Sequence, residues 1–380
     1  TYSNKITGSG KLTVYCATEK GSTWVATRTP LQLNTADFTG TLVPHATNTA
    51  DGRFTLNSTS GLANAKMDIP SGIIVQNTGK VYTIGELTGS GSLGGGCTFS
   101  NSGSVGANTW KVGSLNTDFT FGGSIVASGT KFEKIGTGTM TVTGSSDFTG
   151  TALISEGALC LNRSNGSSGM LGQGTLTVAS GATLCGAGAL TNSSVVINDG
   201  GMLRPGVKEN SISGVLNFTG KKLVVNNGAT VKFYLGSRTL YTRLNNVDVM
   251  TLRGTVQVGI RDGVTFEEGT EFQLWSSNNT QISELATFEL ASPGEGLAWD
   301  ITDIESGIIR VAKETSVEDI SVNQEVLCVV YGIDGVECAR FTCLRSNISN
   351  MLHAEGMSRG IYLVSMNYND TKIVEKFIVE

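Results

Sequence analysis

Hydrophobic and polar residues alternate in short runs along most of this chain, and glycine, asparagine, aspartate or serine separates the runs. The phrase Gly-x-Gly-x-apolar-Thr-Val occurs at residues 8–14, 136–142 and 172–178. Its apolar residue and its valine are two positions apart, so they share one face of a strand while the threonine points the other way. The leading glycines supply the positive φ that a sharp corner requires. The phrase therefore predicts a strand that begins directly after a turn.

A second phrase, Asp-Phe-Thr, occurs at residues 37–39, 118–120 and 147–149, and it has the composition of a turn. Short strand-like runs then continue from about residue 67 to residue 312, and no amphipathic helix of ten or more residues interrupts them. The clearest predicted strands are 174–178, 195–197, 222–225, 230–235, 255–260, 272–275 and 307–311.

Two or three short strands in every ~20–25 residues predict coils that stack about 4.8 Å apart. We therefore expect an all-β chain whose residues 1–312 form a parallel right-handed β-solenoid (β-helix). Residues 1–66 are less regular and predict a cap or an inserted loop. The alternative is a row of β-sandwiches, which would give hairpins of more even length and clearer domain breaks.

The composition changes after a predicted linker at residues 313–316. Glycine becomes rarer, and longer alternating runs follow at 326–333, 336–343, 360–367 and 371–379. They predict a small Ig-like β-sandwich over residues 317–380. The best helical candidate is 347–354, which is short and could equally be a loop.

Composition and charge exclude several classes of protein. With 50 glycines, only 5 prolines and 39% hydrophobic residues, the 380-residue chain is neither collagen-like nor disordered. The net charge is −5 and no basic stripe is present, which argues against a nucleic-acid partner. No apolar run approaches the ~20 residues of a membrane-spanning helix. The chain starts at Thr1 without a leader pattern, so we expect that a leader was removed or that a longer protein precedes it.

Seven scattered cysteines include no Cys-x-x-Cys pair and do not indicate a disulfide framework. Cys160 and Cys185 occupy similar places in successive repeat-like units. We predict that they are small buried hydrophobes stacked on neighbouring rungs. A reactive thiol is the weaker interpretation, since no histidine or basic residue accompanies them.

Catalytic and cofactor patterns are weak. The two histidines, His45 and His353, fall in different predicted domains, which disfavours a Ser-His-Asp or Cys-His arrangement. A Gly-x-Gly-x-x-Gly string at 89–94 is followed by more glycine rather than by a helix, so it predicts a rung corner and not a dinucleotide site. No zinc or EF-hand spacing occurs. We expect no metal and no cofactor.

Carboxylates were weighed because parallel β-helices often cleave acidic polysaccharides. A lyase needs clustered acids and an Arg or Lys base on one groove face, and we require three acids and one basic residue within ~6 Å. An Arg-x-Pro-x-x-Arg string of the pectate-lyase type begins at Arg28, but Leu33 stands where its second arginine belongs. Structural roles in turns and at the rim of the solenoid are enough to explain the acidic residues, so we predict no catalytic residue. The acids considered are Asp300 with Asp303, Glu267 with Glu268, and Glu295.

Exposed aromatic side chains stack on sugar rings, and the chain has four tryptophans. Trp24, in a Gly/Ser/Thr-rich segment, and Trp299 are the predicted glycan contacts. Trp275 lies in an alternating strand and is predicted to be buried.

Residues 134–161 (KIGTGTMTVTGSSDFTGTALISEGALCL) resemble the autotransporter-associated β-strand repeat, also called the passenger-associated transport repeat. That pattern is gly-x-gly-x-leu-thr-leu, a turn with tyr/phe-thr-gly, and then val-x-x-gly-x-leu. Residues 172–206 resemble the segment that follows such repeats, and 223–313 resemble the last rungs of a bacterial passenger domain. The resemblance covers about two-thirds of the chain and implies an architecture rather than an activity.

The C-terminal region resembles a different family. Residues 329–335 (VVYGIDG), 356–364 (GMSRGIYLV) and 372–379 are similar to the C-terminal sorting domain of the type IX secretion system. That domain has a val-tyr-asp-x-x-gly turn, then gly-x-tyr-x-val, then a last strand that bears lysine. In this chain Gly332 replaces the polar residue after Tyr331, and Arg340 lies further from the turn. The resemblance implies secretion machinery as a partner and export across the outer membrane of a Bacteroidetes-type bacterium.

These observations favour a non-catalytic extracellular or cell-surface module: an adhesin, a stalk or a glycan-contacting passenger, secreted or associated with the outer membrane. Its expected partner is a polysaccharide or a host or cell-surface glycan. Two alternatives stay open. The chain is the C-terminal portion of a larger secreted polysaccharide-degrading enzyme, or the solenoid is itself a lyase or hydrolase.

Overall fold

The computed structural model describes residues 5–16, 35, 37–46, 52–56, 61–77, 81–96, 108–126, 128–163, 171–314, 324–333, 335–368 and 371–379. The chain divides into two compact units, Thr1–Gly294 with Trp299–Val311, and Glu295–Ala298 with Ala312–Glu380. Trp24, Arg28 and Leu33 lie outside the described residues, as do positions 315 and 316 of the predicted linker.

Short strands make up nearly all of the first unit. They are β1 (Lys11–Cys16), β2 (Thr41–Ala46), β3 (Gly52–Leu56), β4 (Leu62–Ile69), β5 (Ile73–Asn77), β6 (Val81–Gly89), β7 (Ser92–Gly96), β8 (Thr109–Val112), β9 (Phe119–Phe121), β10 (Ser124–Ile125), β11 (Lys131–Lys134), β12 (Thr139–Val142), β13 (Ala152–Ile154), β14 (Ala158–Asn162), β15 (Leu176–Val178), β16 (Thr183–Ala189), β17 (Ser194–Ile197), β18 (Met202–Pro205), β19 (Gly214–Val225), β20 (Thr230–Leu235), β21 (Thr242–Leu252), β22 (Thr255–Ile260), β23 (Glu271–Gln273), β24 (Trp275–Ile282), β25 (Thr287–Leu290), β26 (Leu297–Asp300) and β27 (Ile308–Lys313).

Parallel pairing arranges β1–β22, β24 and β25 in three ladders. The first ladder is β1-β2-β4-β6-β8-β11-β13-β15-β17-β19-β21-β24. The second ladder is β9-β12-β14-β16-β18-β20-β22-β25, and the third is β3-β5-β7-β10. Paired residues such as Phe132, Ala152 and Leu176 lie about 20–24 positions apart along the chain. The chain therefore coils from ladder to ladder, which confirms the predicted parallel β-solenoid.

The alternating pattern explains which residues fill the solenoid. In β12 the side chains of Met140 and Val142 are buried, and Thr141 between them is more exposed. One inward column of the first ladder consists of Trp110, Phe132, Ala152, Leu176, Val195, Leu223 and Met250, all buried. Stacked columns of this kind give the continuous apolar interior that each coil lacks by itself.

The glycine phrases form strands as predicted, but on two different sides of the coil. Residues 136–142 lead into β12 of the second ladder, whereas 172–178 lead into β15 of the first. The Gly-x-Gly-x-x-Gly string at 89–94 is a rung corner, as predicted, where the amides of Ser90 and Gly91 donate to the carbonyl oxygen of Ile69. The second half of the string already belongs to the strand β7, and no helix starts there.

Cys160 and Cys185 are buried and stacked on neighbouring rungs, as predicted, but they are not free thiols. In-register pairing of β14 with β16 places them opposite each other, with 4.4 Å between their Cα atoms, and their sulfur atoms form a disulfide. This corrects the prediction from cysteine spacing. Residues 25 apart in sequence become neighbours only because one coil of the solenoid lies between them.

Lys134 is the one lysine in an otherwise aliphatic inward column, flanked in register by Val112 and Ile154. Its side chain is fully buried, and its Nζ donates to the carbonyl oxygens of Ile135 and Gly136 at 2.8 Å and of Glu156 at 3.3 Å. Burial lowers the pKa of Lys134 to about 8, and the charges of Glu156 and Asp118 oppose that shift.

The second unit contains an antiparallel sheet of four strands in the order β29-β28-β30-β31. The strands are β28 (Glu325–Tyr331), β29 (Glu337–Leu344), β30 (Gly360–Tyr368) and β31 (Thr371–Val379). A single short α-helix, α1 (Ile348–Ala354), contributes to the same core, so the helical candidate forms. Ile348 and Leu352 are four residues apart and therefore share the buried helix face. Of the predicted small Ig-like β-sandwich, the structure shows a small antiparallel β-sheet unit after the solenoid. Within the described residues, its core is formed by one sheet and α1, with no second sheet.

The core of this unit includes two buried free thiols. Burial raises the pKa of Cys328 to about 12 and, to a smaller extent, that of Cys343.

Among the described residues, no helix is long and apolar enough to cross a membrane.

Candidate functional site

The regular ladders end at β24 and β25, and the surroundings change there. In β22, Val256 and Val258 are buried, but their partners in the last rung, Phe288 and Leu290, are partly exposed. A three-stranded sheet of β23, β27 and β26 follows, in which β23 and β27 run antiparallel. The end of the solenoid therefore carries side chains that the repeat does not enclose.

Trp299 lies in this region and belongs to an aromatic cluster. Its ring centroid is 5.9 Å from that of Phe272 and 6.2 Å from that of Phe266, and its Nε1 donates to the carbonyl oxygen of Ala291 at 2.7 Å. The indole is half-buried because it covers these phenyl rings. Part of the indole remains exposed to solvent, and its contact with a glycan stays a prediction. Trp275 is fully buried, as predicted.

Arg310 gathers three acids at the same end of the solenoid. Its guanidinium lies 2.7 Å from Glu271, 3.4 Å from Asp300 and 3.3 Å from Asp303, measured to carboxylate oxygens. Each of the three acids therefore lies within ~6 Å of one basic group, as a lyase or hydrolase requires. Sequence reasoning paired Asp300 with Asp303 but missed Glu271 and Arg310, which only the antiparallel pairing of β23 with β27 brings together.

Two members of this cluster, Asp300 and Arg310, have pKa values shifted away from the range of a general acid or base. Hydrogen bonds from the backbone N–H and hydroxyl of Thr302 lower the pKa of the Asp300 carboxyl, with a further contribution from Arg310. The hydrogen bond and charge of Glu271 raise the pKa of Arg310. A general acid or base works best with a pKa near the working pH, so these shifts oppose acid–base catalysis. The other acids considered, Glu267, Glu268 and Glu295, form no ion pair in the described part of the chain.

The strand β23 and the 3₁₀ turn Ile304–Ser306, which adjoin residues of this cluster in sequence, also line a polar pocket of about 420 Å³. The strand β24, the last residue of β23 and the 3₁₀ turn Ile304–Ser306 surround it. Its lining consists of Gln273, Ser276, Ser277, Asn278, Asn279, Thr280, Glu305 and Ser306.

Half of this lining is fixed by hydrogen bonds to the solenoid. The Oγ of Ser276 accepts from the backbone N–H of Asn246 at 2.9 Å, and the side-chain amide of Asn278 donates to Asp248 at 3.1 Å. The hydroxyl of Thr280 accepts from the Nε1 of the buried Trp275 at 3.3 Å and contacts the hydroxyl of Ser277. These four residues form a rigid side of the pocket.

The other half of the lining has polar side chains that are not bonded to any described residue. The side chains of Gln273, Asn279, Glu305 and Ser306 make no hydrogen bond or ion pair with any described residue. All four are exposed. They surround the pocket with amide, hydroxyl and carboxylate groups that are free to bind a ligand.

Gly307 explains why the 3₁₀ turn lies so close to β24. It ends the turn with a φ of +78°, and its backbone N–H donates to Ile304. A Cβ atom at this position would lie 2.1 Å from the carbonyl oxygen of Trp275 and 2.8 Å from its ring. Only glycine permits this approach, which sets the width of the pocket.

The sequence contains a signal for this pocket that pattern reasoning passed over. Residues 276–281 (SSNNTQ) give β24 six consecutive polar residues, whereas strands of the first ladder such as β8 and β15 alternate. No group of three or more His, Cys, Asp or Glu side chains in the described ranges could hold a metal ion. Searches against models of known protein families and against curated protein sequences give no match.

Proposed function

We propose that this chain is a non-catalytic extracellular or cell-surface β-solenoid module that contacts glycans, as an adhesin, a stalk or a passenger. The observation that carries the proposal is the pocket at the end of the ladders, with its unused amide and hydroxyl groups. Such groups form the hydrogen bonds that sugar hydroxyls require. In the Arg310 cluster, the pKa of Asp300 is lowered by hydrogen bonds from Thr302 and that of Arg310 is raised by Glu271, and neither shift favours proton transfer.

Two further observations support a location outside the cytoplasm. The Cys160–Cys185 disulfide is of a kind that persists in oxidising compartments and is rare in the bacterial cytosol. The resemblances to autotransporter-associated repeats and to a type IX sorting domain point in the same direction. On this proposal, the first unit meets the glycan and the second unit is the part that secretion machinery recognises.

The test combines a glycan array with a turnover assay on the same purified chain. We expect binding to a restricted set of polysaccharides, and no new reducing ends or unsaturated products from any of them. Reproducible product release would contradict the non-catalytic assignment, and an array without binding would contradict glycan contact.

The Arg310 cluster favours a second candidate, in which the solenoid is a lyase or hydrolase, because three acids surround one basic residue. Under this candidate, Glu271→Gln removes turnover that the unaltered chain shows. A third reading, the C-terminal portion of a larger secreted polysaccharide-degrading enzyme, assigns the same binding role to this chain. The gene sequence upstream of Thr1 decides it.

A further inference from the structure

We propose that the pocket between β24 and the 3₁₀ turn Ile304–Ser306 binds a neutral or amine-bearing sugar residue and excludes uronic acids. This inference rests on the proposed glycan contact and specifies its chemistry. It separates the chain from binders and lyases of acidic polysaccharides, which need basic residues around the ligand.

Size and polarity define the class of ligand. A volume of about 420 Å³ falls within the roughly 300–1,000 Å³ typical of small-molecule sites. Most such sites are lined by apolar side chains, whereas every residue that lines this one is polar or charged. An apolar ligand would leave these groups unpaired, at a cost for each one. A compact ligand with many hydroxyl groups satisfies them.

The unused side chains supply both donors and acceptors. Gln273 and Asn279 each offer an amide that donates two hydrogen bonds and accepts at its oxygen. Ser306 donates or accepts, and the carboxylate of Glu305 only accepts. A sugar hydroxyl also donates and accepts, so neighbouring hydroxyls can be matched around the ring.

Charge then selects among sugars. Glu305 is the only ionisable residue in the lining, and the lining contains no lysine or arginine. Arg310 pairs with Glu271 in β23, the strand that contributes Gln273 to the lining, and its guanidinium is occupied by Glu271, Asp300 and Asp303. A uronate carboxylate would therefore meet Glu305 without a compensating cation. An ammonium group on an amino sugar would be attracted to it.

The rigid half of the lining favours binding. Ser276, Ser277, Asn278 and Thr280 are already held by Asn246, Asp248 and Trp275. A ligand does not have to pay for ordering those side chains, which is the advantage of preorganisation. The ordering cost falls on the four unused side chains.

Matched methyl glycosides test the inference with the full chain. The set contains hexoses, 2-amino-2-deoxyhexoses and hexuronates of gluco, galacto and manno configuration. Within one configuration, the amino sugar differs from the hexose only at C2 and the uronate only at C6. Saturation-transfer NMR with a titration gives each affinity. In at least one configuration, we expect the amino sugar to bind most tightly and the neutral sugar next. The uronate of that configuration should bind at least ~10-fold more weakly than the neutral sugar, which corresponds to one unfavourable charge contact.

Three variants locate the binding. Asn279→Ala is expected to weaken neutral and amino sugars alike by about 10-fold, as the loss of two hydrogen bonds implies. Glu305→Gln should remove the preference for the amino sugar and raise uronate affinity, while neutral sugars change less than ~3-fold. Glu268→Gln makes the same charge change at an exposed position outside the lining and should alter nothing.

The outcomes separate this inference from the proposed function. If glycans bind but Asn279→Ala and Glu305→Gln have no effect, the pocket assignment is wrong and glycan contact stands. If uronates bind as tightly as the neutral sugars, the charge argument is wrong. If neither the array nor the glycosides show binding, both proposals fail.

Discussion

The middle of the solenoid and its last rung are built from the same kind of strand but expose different chemistry. In β16 and β20, inward residues such as Leu184 and Val231 are fully buried between the rungs before and after them. In β25, Phe288 and Leu290 pair with a rung on one side only, within the described residues, and remain partly exposed. A rung is therefore sealed by its neighbours more than by its own sequence.

This difference explains where ligand-binding groups occur. Along the middle rungs, outward side chains of successive rungs bond to one another, as Lys111 does with Glu133 and Asn226 with Asn198. Where the ladders stop, the next rung that would take up such groups is replaced by the 3₁₀ turn Ile304–Ser306, and Gln273, Asn279 and Glu305 stay unpaired. Polar side chains that are free to bind a ligand therefore occur at the end of the ladders.

The largest expected contrast comes from matched leucine truncations. Leu184→Ala removes a fully buried side chain in a middle rung and should reduce the free energy of unfolding by about 3 kcal/mol. Leu290→Ala, in the last rung, should cost about 1 kcal/mol, since its side chain already contacts water. Urea unfolding of both variants checks this contrast. Equal costs would contradict the view that neighbouring rungs seal each other.

Lys134 offers a second test of the comparison, because its amine is buried inside a middle rung. Its folded-state pKa of about 8 lies below the ordinary value of 10.5. Between these values the unfolded chain holds the proton that the native chain has lost, so stability rises with pH across this window. The penalty for the buried charge is fully present below pH 8, and its removal is worth about 3 kcal/mol.

Unfolding at pH 7.5 and pH 10.5 measures this effect, with Lys134→Met as the reference. Other lysines, tyrosines and thiols titrate in the same range, so the difference between the two proteins isolates Lys134. The methionine variant should lose the rise that Lys134 contributes. An identical pH profile in both proteins would show that the amine is not buried in the native state.

The smallest effect is expected at the Arg310 cluster. Its members are largely exposed, and exposed ion pairs contribute little because water and salt screen them. Glu271→Gln should leave the urea midpoint close to that of the unaltered chain, and moderate salt should reduce the difference further. A large drop in the midpoint would show that this cluster holds the solenoid end in place.

Alternation and glycine spacing were sufficient to predict the solenoid. Residues 230–235 and 255–260 are strands with the predicted bounds, because two-residue periodicity and Asn-Gly or Arg-Gly corners both mark them. The pattern did not show which ladder a strand joins, since the glycine phrase forms β12 in one ladder and β15 in another. The number of residues in each corner decides that, and corner lengths vary along the chain.

The site was less predictable because it depends on residues that meet only in three dimensions. Trp299 and the Asp300–Asp303 pair were recognised as candidates from their residue types. Arg310 and Glu271 are 39 positions apart and carry no local motif. The Cys160–Cys185 disulfide was missed for a similar reason, since scattered cysteines give no spacing rule until the register of β14 and β16 is known.

The stacking of coils in register is the claim on which the account depends, and peptide mapping of the unreduced protein tests it most directly. Cys160 and Cys185 come together only if β14 and β16 pair with the observed register. We predict that protein recovered from an oxidising compartment yields a cross-linked peptide pair containing these two cysteines. Finding both as free thiols there, or either one bonded to another cysteine, would contradict the solenoid register.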